Sequence, residues 1–180
     1  MIRPRREEDL PALGEVLLEQ QVTSGYPYRN PLPFPPRDFI VRPGETSAWV
    51  AEVDGVPVGH IALSRPRSPS DVSADQAVII RAWQDAHGRP HTELGEVCVF
   101  FVASTVRGRR VGAALLDTAV DDLTGRGLAP CLDVVPTHAA ALRLYRRRGW
   151  LEVGRGRPDW LDDDAPDVLA MVLPEPDRQP

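Results

Sequence analysis

A short basic loop at residues 107–112 combines three arginines with two glycines, directly after an apolar run and directly before a run of good helix formers. The first amides of a helix have no intrahelical partner and carry the positive end of the helix dipole, so a loop that opens onto a helix can bind phosphate. The guanidinium groups of Arg107, Arg109 and Arg110 add positive charge where phosphate oxygens would lie. The loop therefore predicts a diphosphate-binding site.

The absence of lysine narrows the classes of phosphate ligand. All 21 residues counted as lysine or arginine are arginines. A nucleotide-binding P-loop needs a lysine that reaches the phosphates, and a Schiff-base enzyme needs a lysine amine, so both classes are excluded. The dinucleotide-binding fingerprint G-x-G-x-x-G does not fit the loop, and no alternation of strands and helices precedes it.

Composition and charge describe an ordinary globular chain. With 180 residues, 42% of them hydrophobic, it is predicted to form one domain over residues 1–174, with residues 175–180 as a flexible tail. The net charge of −5 gives no support to a nucleic-acid partner. The apolar runs are about half the length that spans a bilayer, so no membrane partner is expected. No signal peptide is recognised at the N-terminus, and a cytoplasmic location is expected.

Neither the cysteines nor the histidines are spaced as metal ligands. Cys98 and Cys131 lie within apolar strand patterns and are expected to be buried thiols. The four histidines are scattered along the chain, and His60, which follows Gly59 in a predicted hairpin, is expected to pack. We predict no metal site.

The elements that position the basic loop follow from hydrophobic periodicity and turn residues. Asp54-Gly55 predicts a hairpin turn. The proline- and aromatic-rich residues 20–43 are expected to form a loop, and residues 65–89 an excursion from the core. Strands are predicted at residues 2–4, 48–53, 56–63, 93–102, 131–135, 150–154 and 168–173. Helices are predicted after the acidic residues 7–9 and at residues 74–86, 111–123 and 139–148.

Two motifs resemble the GNAT superfamily of N-acetyltransferases. Residues 107–116, R-G-R-R-V-G-A-A-L-L, resemble its acyl-CoA loop, whose pattern Gln/Arg-x-x-Gly-x-Gly/Ala falls on Arg107, Arg110 and Gly112. Arg110 stands where the family usually has glycine. Residues 132–150, L-D-V-V-P-T-H-A-A-A-L-R-L-Y-R-R-R-G-W, resemble the family's helix that ends in Tyr-x-x-x-Gly-Phe/Trp, with His138 where the family commonly has asparagine.

The resemblance covers nearly the whole chain and implies a fold and an activity. The fold would be α/β (α+β), the GNAT acyl-CoA N-acyltransferase fold: a central, twisted, mixed sheet of about six to seven strands, flanked by helices and splayed between the fourth and fifth strands. The implied activity is transfer of the acetyl group of acetyl-CoA, as co-substrate, to a primary amine by direct attack in a ternary complex. Homodimerisation through residues 168–173 is a further implication.

The resemblance also assigns residues to the cofactor. Backbone groups of Phe100, Phe101 and Val102, at the end of a strand that bulges, would pair with the pantetheine arm, and one amide would polarise the acetyl carbonyl. The side chain of His138 would lie beside the cofactor. The diphosphate would be held by the amides of Arg107, Gly108, Arg109, Arg110, Val111, Gly112 and Ala113.

Acetyl transfer to an amine needs an acceptor for the amine proton, and Glu96 is the candidate base. It lies eleven positions before Arg107, an offset that resembles the one at which some family members place a catalytic glutamate. Strand alternation places it among apolar side chains, where a carboxylate holds a proton more readily than in water. Glu93, Glu52 or a water relay are the alternatives, as is a purely structural ion pair for Glu96.

Tyr145 is the candidate acid for the leaving thiolate. In the motif that residues 132–150 resemble, the tyrosine at this point of the helix lies near the thioester sulfur and protonates it as it departs. The structural alternative is a tyrosine that anchors the helix to the sheet.

Aromatic side chains in the two segments outside the core are candidates for the wall of an acceptor pocket, with simple covering of the core as the alternative. The candidates are Tyr26, Tyr28, Phe34 and Trp83. Because both segments are expected to form a lid, a small-molecule amine is favoured over a protein or peptide acceptor. A catalytically inactive, CoA-binding regulatory module is the remaining alternative.

Overall fold

The computed structural model describes residues 1–162 and 164–175 of the chain. Within them the strands are β1 (Ile2–Pro4), β2 (Glu45–Val53), β3 (Val56–Ser64), β4 (Leu94–Val102), β5 (Ala129–Val134), β6 (Leu151–Gly156) and β7 (Val168–Val172). The α-helices are α1 (Leu10–Ser24), α2 (Pro36–Ile40), α3 (Ala74–His87), α4 (Val111–Gly125) and α5 (Ala139–Arg147). Short 3₁₀ turns lie at Glu7–Asp9, His91–Glu93 and Ser104–Val106.

The predicted fold class is confirmed. Across the described residues the strands form a mixed seven-stranded sheet, flanked by helices. Strands β1, β2 and β3 pair antiparallel, as do β5, β7 and β6, whereas β4 and β5 pair in parallel. Each predicted strand and helix is present, with ends that differ from the prediction by a few residues.

The chain divides into two compact units. Unit 1 comprises Met1–Ser64 and Val97–Asp122, and unit 2 comprises Arg65–Glu96 and Leu123–Pro180. A single domain over residues 1–174 therefore stays a prediction. Of the predicted tail, residues 176–180 lie outside the described residues, whereas Glu175 accepts a hydrogen bond from Arg89 Nη2 at 2.5 Å.

Unit 1 has a core formed by α1, α2 and the strands of its sheet. The β2–β3 turn has positive φ at both Asp54 (50°) and Gly55 (80°), as a two-residue hairpin turn requires. Helix α1 ends where Gly25 takes up a left-handed conformation. The buried cluster consists of Leu10, Leu13, Leu17, Phe39, Ile40, Ala48, Val50, Ala62, Val99 and Phe101.

Helix α2 corrects the expectation of a loop over residues 20–43. The chain is helical to Ser24 and again over Pro36–Ile40. Pro36 occupies the first helical position, where the missing N–H costs no intrahelical hydrogen bond and the fixed φ suits a helix. Prolines therefore start this helix instead of preventing it.

Helix α3 corrects the expectation of an excursion at residues 65–89, because it supplies much of the core of unit 2. Ser73 caps it by accepting a hydrogen bond from Gln76 N at 3.2 Å. Its buried side chains are Ala77, Ile79, Ile80, Trp83 and His87. Glycines of β6 permit this packing: a Cβ at Gly154 would lie 2.8 Å from Ala82 Cβ, and one at Gly156 would lie 2.5 Å from Ile79 Cγ1.

Strand β7 lies between two other strands of unit 2. Cys131–Val134 of β5 pair with one edge, and β6 pairs with the other. All five residues of β7 are buried. A homodimer contact through residues 168–173 would need a free edge or face of this strand, so β7 does not fit that role. Homodimerisation itself stays a prediction.

Candidate active site

In unit 1 the basic loop connects β4 to α4 through the 3₁₀ turn Ser104–Val106. Arg107 N donates to Ser104 O at 3.3 Å and Arg109 N to Val106 O at 3.2 Å. Both amides donate within the turn, and their assignment to the diphosphate stays a prediction. Helix α4 begins at Val111, and the amides of its first turn have no intrahelical acceptor. Val111, Gly112 and Ala113 therefore fit the predicted diphosphate site.

Arg110 has a left-handed backbone conformation, with φ of 62°. Its carbonyl accepts a hydrogen bond from Ala114 N at 3.0 Å, which helps to start α4. A residue with a Cβ is strained in this conformation by about 1 kcal/mol, whereas glycine is not. The geometry explains why glycine is the usual residue at the matching position of the resembling motif. Gly108, with φ of 79°, meets a similar demand two residues earlier.

The end of β4 carries the residues predicted to pair with the pantetheine arm. Val99 has φ of 46°, an outlier for a β-branched residue. Phe100 and Val102 are half-buried and Phe101 is buried, so the strand still alternates after the distortion. Ala103 N donates to Val58 O of β3 at 2.8 Å. The predicted bulge in this strand thus coincides with a backbone distortion at Val99.

His60 is fully buried in unit 1, between β4 and a guanidinium group. Its Nδ1 lies 2.8 Å from Val99 O, and its Nε2 lies 3.1 Å from Arg5 Nη1. Burial lowers the pKa of His60 to about 4; the hydrogen bond to Val99 opposes this shift and the charge of Arg5 adds to it. His60 is therefore a neutral imidazole at physiological pH.

Arg5 is fixed in turn by a carboxylate of the same unit. Its Nη2 and Nη1 donate to Glu45 Oε1 and Oε2 at 2.6 and 2.9 Å, a two-point ion pair with both side chains mostly buried. This arrangement was not predicted from the sequence. His60 was expected to pack, and no local pattern connects Arg5, Glu45 and His60, which come from three separate strands or strand ends.

Glu96, the candidate base, lies on the part of β4 that belongs to unit 2. It is half-buried and lies opposite Cys131 in the parallel register with β5. The alternatives are less suited. Glu52 is paired with Arg3 Nε at 2.8 Å, and the side chain of Glu93 is 55% exposed, 3.9 Å from Arg89. Glu96 as base stays a prediction.

Tyr145, the candidate acid, lies in the interior of unit 2 on α5. Its ring centroid is 5.9 Å from that of Trp150. Burial, and secondarily the charge of Asp133, raises the pKa of the Tyr145 hydroxyl well above its usual value. The hydroxyl is protonated at neutral pH, and its role as the acid stays a prediction. Gly149, with φ of 84°, ends the motif after α5.

His138 occupies the N-cap position of α5 in unit 2. Its backbone N donates to Val135 O at 3.0 Å, and its carbonyl accepts from Leu142 N at 3.1 Å. The half-buried side chain does not cap the helix. Contact with the cofactor stays a prediction for this residue.

The residues proposed for the acceptor side separate into two groups. Tyr26 and Phe34 pack around Phe39 in unit 1, with ring centroids 5.7 and 6.5 Å from it, and Tyr28 is half-buried nearby in sequence. Trp83 is different. It is 1% exposed and its Nε1 donates to Leu132 O at 3.2 Å inside unit 2. Its assignment to a pocket wall is corrected, because a side chain enclosed in the core has no surface to offer a substrate.

The described residues were also compared with the requirements of a metal site and of a membrane-spanning helix, and they meet neither. In residues 1–162 and 164–175, no group of three or more His, Cys, Asp and Glu side chains is placed to hold a metal ion. Among the helices of those same residues, none has the length and apolar character needed to cross a membrane.

The sequence matches the model of the acetyltransferase (GNAT) family over residues 14–150. The chain therefore belongs to this family: it is an acyltransferase of the N-acetyltransferase type that uses acetyl-CoA as co-substrate. The resemblance drawn from its two motifs is confirmed. No curated protein matches the chain.

Solved structures share the fold at low sequence identity. The ribosomal-protein-S18-alanine N-acetyltransferase from Escherichia coli is 18% identical, with a TM-score of 0.64, over 97% of this chain and 92% of that one. A ribosomal-protein-alanine N-acetyltransferase from Brucella melitensis is 22% identical, with a TM-score of 0.65, over 96% and 98% of the two chains. NAA60 from Arabidopsis thaliana, solved with acetyl-CoA, is 19% identical, with a TM-score of 0.64, over 96% of each.

Proposed function

We propose that the protein transfers the acetyl group of acetyl-CoA to the primary amine of a small molecule, within a ternary complex. The amine nitrogen forms a bond to the thioester carbon, the carbon–sulfur bond breaks, the nitrogen loses a proton and the CoA thiolate gains one. Glu96 accepts the amine proton and Tyr145 protonates the thiolate. The half-buried position of Glu96 supports the first role. The second rests on the position of Tyr145 in the Tyr-x-x-x-Gly-Trp motif of residues 145–150.

The cofactor is assigned to unit 1. The first-turn amides of α4, from Val111 to Ala113, hold the diphosphate, with the exposed guanidinium groups of Arg107 and Arg109 as further donors. Backbone groups of residues 100–102 pair with the pantetheine arm. The fit is supported by the left-handed conformations at Gly108 and Arg110, which turn the chain into the start of α4.

The observation that carries the choice of a small amine is the ordered structure of the loop after α1. Buried Gln20 donates through Nε2 to Leu17 O at 3.0 Å and also to Tyr26 O, while Ser24 Oγ donates to Gln20 Oε1 at 2.6 Å. These bonds fix Tyr26 against Phe39, and the ring of Phe34 stacks on Phe39 as well. A fixed aromatic wall suits a compact acceptor better than it suits an extended peptide.

A second candidate is the amine of a peptide. Two structures that share the fold over more than 90% of both chains are named as ribosomal-protein alanine N-acetyltransferases. Their names favour an acceptor with a free N-terminal alanine.

Release of free CoA thiol, measured at saturating acetyl-CoA, tests the two candidates side by side. One arm is a panel of aliphatic, aromatic and polyamine acceptors, and the other a set of short peptides with N-terminal alanine. We expect kcat/KM to be higher for at least one small amine than for every peptide. The opposite ranking would overturn the small-molecule assignment and establish the peptide one.

A variant of the aromatic wall sharpens the test. Phe34→Ala removes a 42% exposed ring that stacks on Phe39, and we expect it to raise the KM of the preferred small amine several-fold without changing acetyl-CoA affinity. Leu18→Ala, on α1 of the same unit and 46% exposed, is the matched control and should leave both constants unchanged. Equal behaviour of the two variants would remove Phe34 from the acceptor site.

A further inference from the structure

The distortion of β4 at Val99 needs a partner that maintains it. A buried β-branched residue with φ of 46° is held in a sparsely populated conformation. Such conformations persist only where the surrounding structure determines them. Val99 directly precedes residues 100–102, the segment that the proposed function assigns to the pantetheine arm. Whatever maintains the distortion therefore also sets the direction of that segment.

The side chain of His60 contacts the distorted residue. Its Nδ1 lies 2.8 Å from Val99 O, and its ring stacks on Phe101 with a centroid separation of 5.4 Å. A carbonyl in a regular strand is paired with a neighbouring strand. Here the imidazole occupies that role for Val99, so the carbonyl can turn out of the ladder without losing a hydrogen bond.

Arg5 determines which ring nitrogen carries the proton. A guanidinium group has only donors, and Arg5 Nη1 lies 3.1 Å from Nε2 of His60, so Nε2 must accept. The proton of the neutral ring is then on Nδ1, where it is donated to Val99 O. Because Glu45 holds Arg5 at two points, the orientation of the ring is also fixed. We call Glu45, Arg5, His60 and Val99 the imidazole clamp.

Strand β3 also holds the far end of the same segment. Val58 O accepts a hydrogen bond from Ala103 N at 2.8 Å. Between the two bonds, Gly59 permits a close approach, since a Cβ there would lie 3.0 Å from Leu115 Cδ1 and 3.3 Å from Phe101 O. Residues 100–102 therefore lie between two fixed points on β3.

We propose that His60 is a positioning residue for acetyl-CoA: by donating from Nδ1 to Val99 O it orients the backbone groups of residues 100–102 toward the pantetheine arm. The inference rests on the proposed assignment of that segment to the cofactor. His60 touches neither cofactor nor acceptor in this scheme and acts through Val99.

Two substitutions at His60 distinguish the effect of the hydrogen-bond donor from the effect of side-chain volume. His60→Leu keeps a similar volume without a donor, and His60→Asn keeps an amide donor at the position of Nδ1. By calorimetric titration with acetyl-CoA, we expect His60→Leu to raise Kd about tenfold, the cost of one lost hydrogen bond, and His60→Asn to recover most of the affinity. The KM of the amine should be unchanged in both.

Ile61→Ala is the matched control, because Ile61 is the next residue of β3, is 0% exposed and lies outside the clamp. It should lower thermal stability and leave the Kd of acetyl-CoA at the wild-type value. Wild-type affinity in a folded His60→Leu protein, or an equal loss of affinity in Ile61→Ala, would overturn the proposal.

Nitrogen-15 NMR of the wild-type protein gives a readout that does not depend on whether a variant folds. We expect His60 to be protonated at Nδ1, with a hydrogen-bond coupling from Nδ1–H to the Val99 carbonyl carbon; protonation at Nε2 would overturn the clamp. Failure of the wild-type protein to bind acetyl-CoA would instead overturn the cofactor assignment and with it the role of His60 in binding. An intact Nδ1 bond distinguishes that outcome from a wrong clamp.

Discussion

Unit 1 and unit 2 carry their proposed functional groups in different ways. In unit 1 the groups assigned to the cofactor are mainly backbone amides and carbonyls, and their directions depend on left-handed residues such as Val99, Gly108 and Arg110. In unit 2 the groups assigned to proton transfer are side chains. Glu96 lies on the part of β4 that precedes the distortion at Val99, and Tyr145 lies on a regular helix. Substitutions at the cofactor groups of unit 1 should therefore alter acetyl-CoA affinity or stability, and those at the proton-transfer groups of unit 2 should alter turnover.

Within unit 1, two left-handed residues with side chains are supported differently. Val99 is buried and its carbonyl is held by His60, whereas Arg110 is exposed at the surface of the loop. The strain at Val99 is thus part of a buried hydrogen-bonded arrangement that its neighbours maintain. The strain at Arg110 comes from the side chain itself and would disappear with glycine.

The largest effect is expected for the proposed base in unit 2. Glu96→Gln should lower kcat about 1,000-fold at pH 7, because a neutral amide cannot accept the amine proton. The loss should shrink at high pH, where free amines are already deprotonated. A pH–rate profile from CoA thiol release measures both, with Glu93→Gln as control. An equal loss at every pH would show that Glu96 has a structural role.

The imidazole clamp makes the stability of the protein depend on pH. Burial lowers the pKa of His60 from 6.5 to about 4, so between these values the unfolded chain binds the proton that the folded chain excludes. Stability is then complete above pH 6.5 and is lost as the pH falls toward 4, by about 3 kcal/mol for a shift of this size. The positive charge of Arg5 faces the ring, and the carboxylates of Glu45 and Asp9 partly offset it.

Urea unfolding at pH 7, 5.5 and 4 checks this dependence. His60→Asn has no titrating ring and should lose much less stability over the same interval. The ion pair with Arg3 lowers the pKa of Asp9 in the folded protein, so the stability it contributes starts to be lost as the pH approaches 3.8. That loss is shared by the wild-type and Asn proteins and cancels in the comparison. Identical pH profiles for the wild-type and Asn proteins would show that His60 does not titrate as its surroundings imply.

Local features of the two units could be predicted from sequence because neighbouring residues determine them. The dipeptide Asp54-Gly55 is enough to predict the hairpin turn. The helix formers that directly follow the basic loop are enough to predict the start of α4. The clamp could not be predicted in this way. Arg5, His60 and Val99 are brought together only by strand pairing, and no spacing in the sequence marks them.

The burial of aromatic residues could not be predicted from local sequence either. Phe34 and Trp83 both looked like candidates for a pocket wall, because each lies in a segment interrupted by turn residues. The structure leaves Phe34 exposed but encloses Trp83, since α3 packs against β6 through Gly154 and Gly156. Composition alone does not distinguish a core helix from a lid. For α3 the partner strand, β6, lies about 70 residues further along the chain.

A smaller effect on turnover is expected for Tyr145. Tyr145→Phe keeps the ring packed beside Trp150 and removes the hydroxyl, so kcat should fall about 100-fold, the lower end for a general acid. The Kd of acetyl-CoA, from calorimetric titration, should stay within twofold of the wild-type value. A variant with full turnover would exclude Tyr145 as the acid, and one with weakened acetyl-CoA binding would place it among the cofactor contacts.

The smallest effect is expected from relief of the strain at Arg110. It tests whether the left-handed conformation there is only tolerated, in contrast to that of Val99, which neighbouring residues maintain. Arg110→Gly should stabilise the protein by up to about 0.5 kcal/mol, since relief of the left-handed strain exceeds the added freedom of the unfolded chain. Arg109→Gly is the matched control: it is an exposed arginine of the same loop whose φ is not positive, so it should destabilise by a similar amount. Urea unfolding measures both changes. If the two variants shifted stability in the same direction, the effect would come from the lost arginine charge and not from the backbone conformation of Arg110.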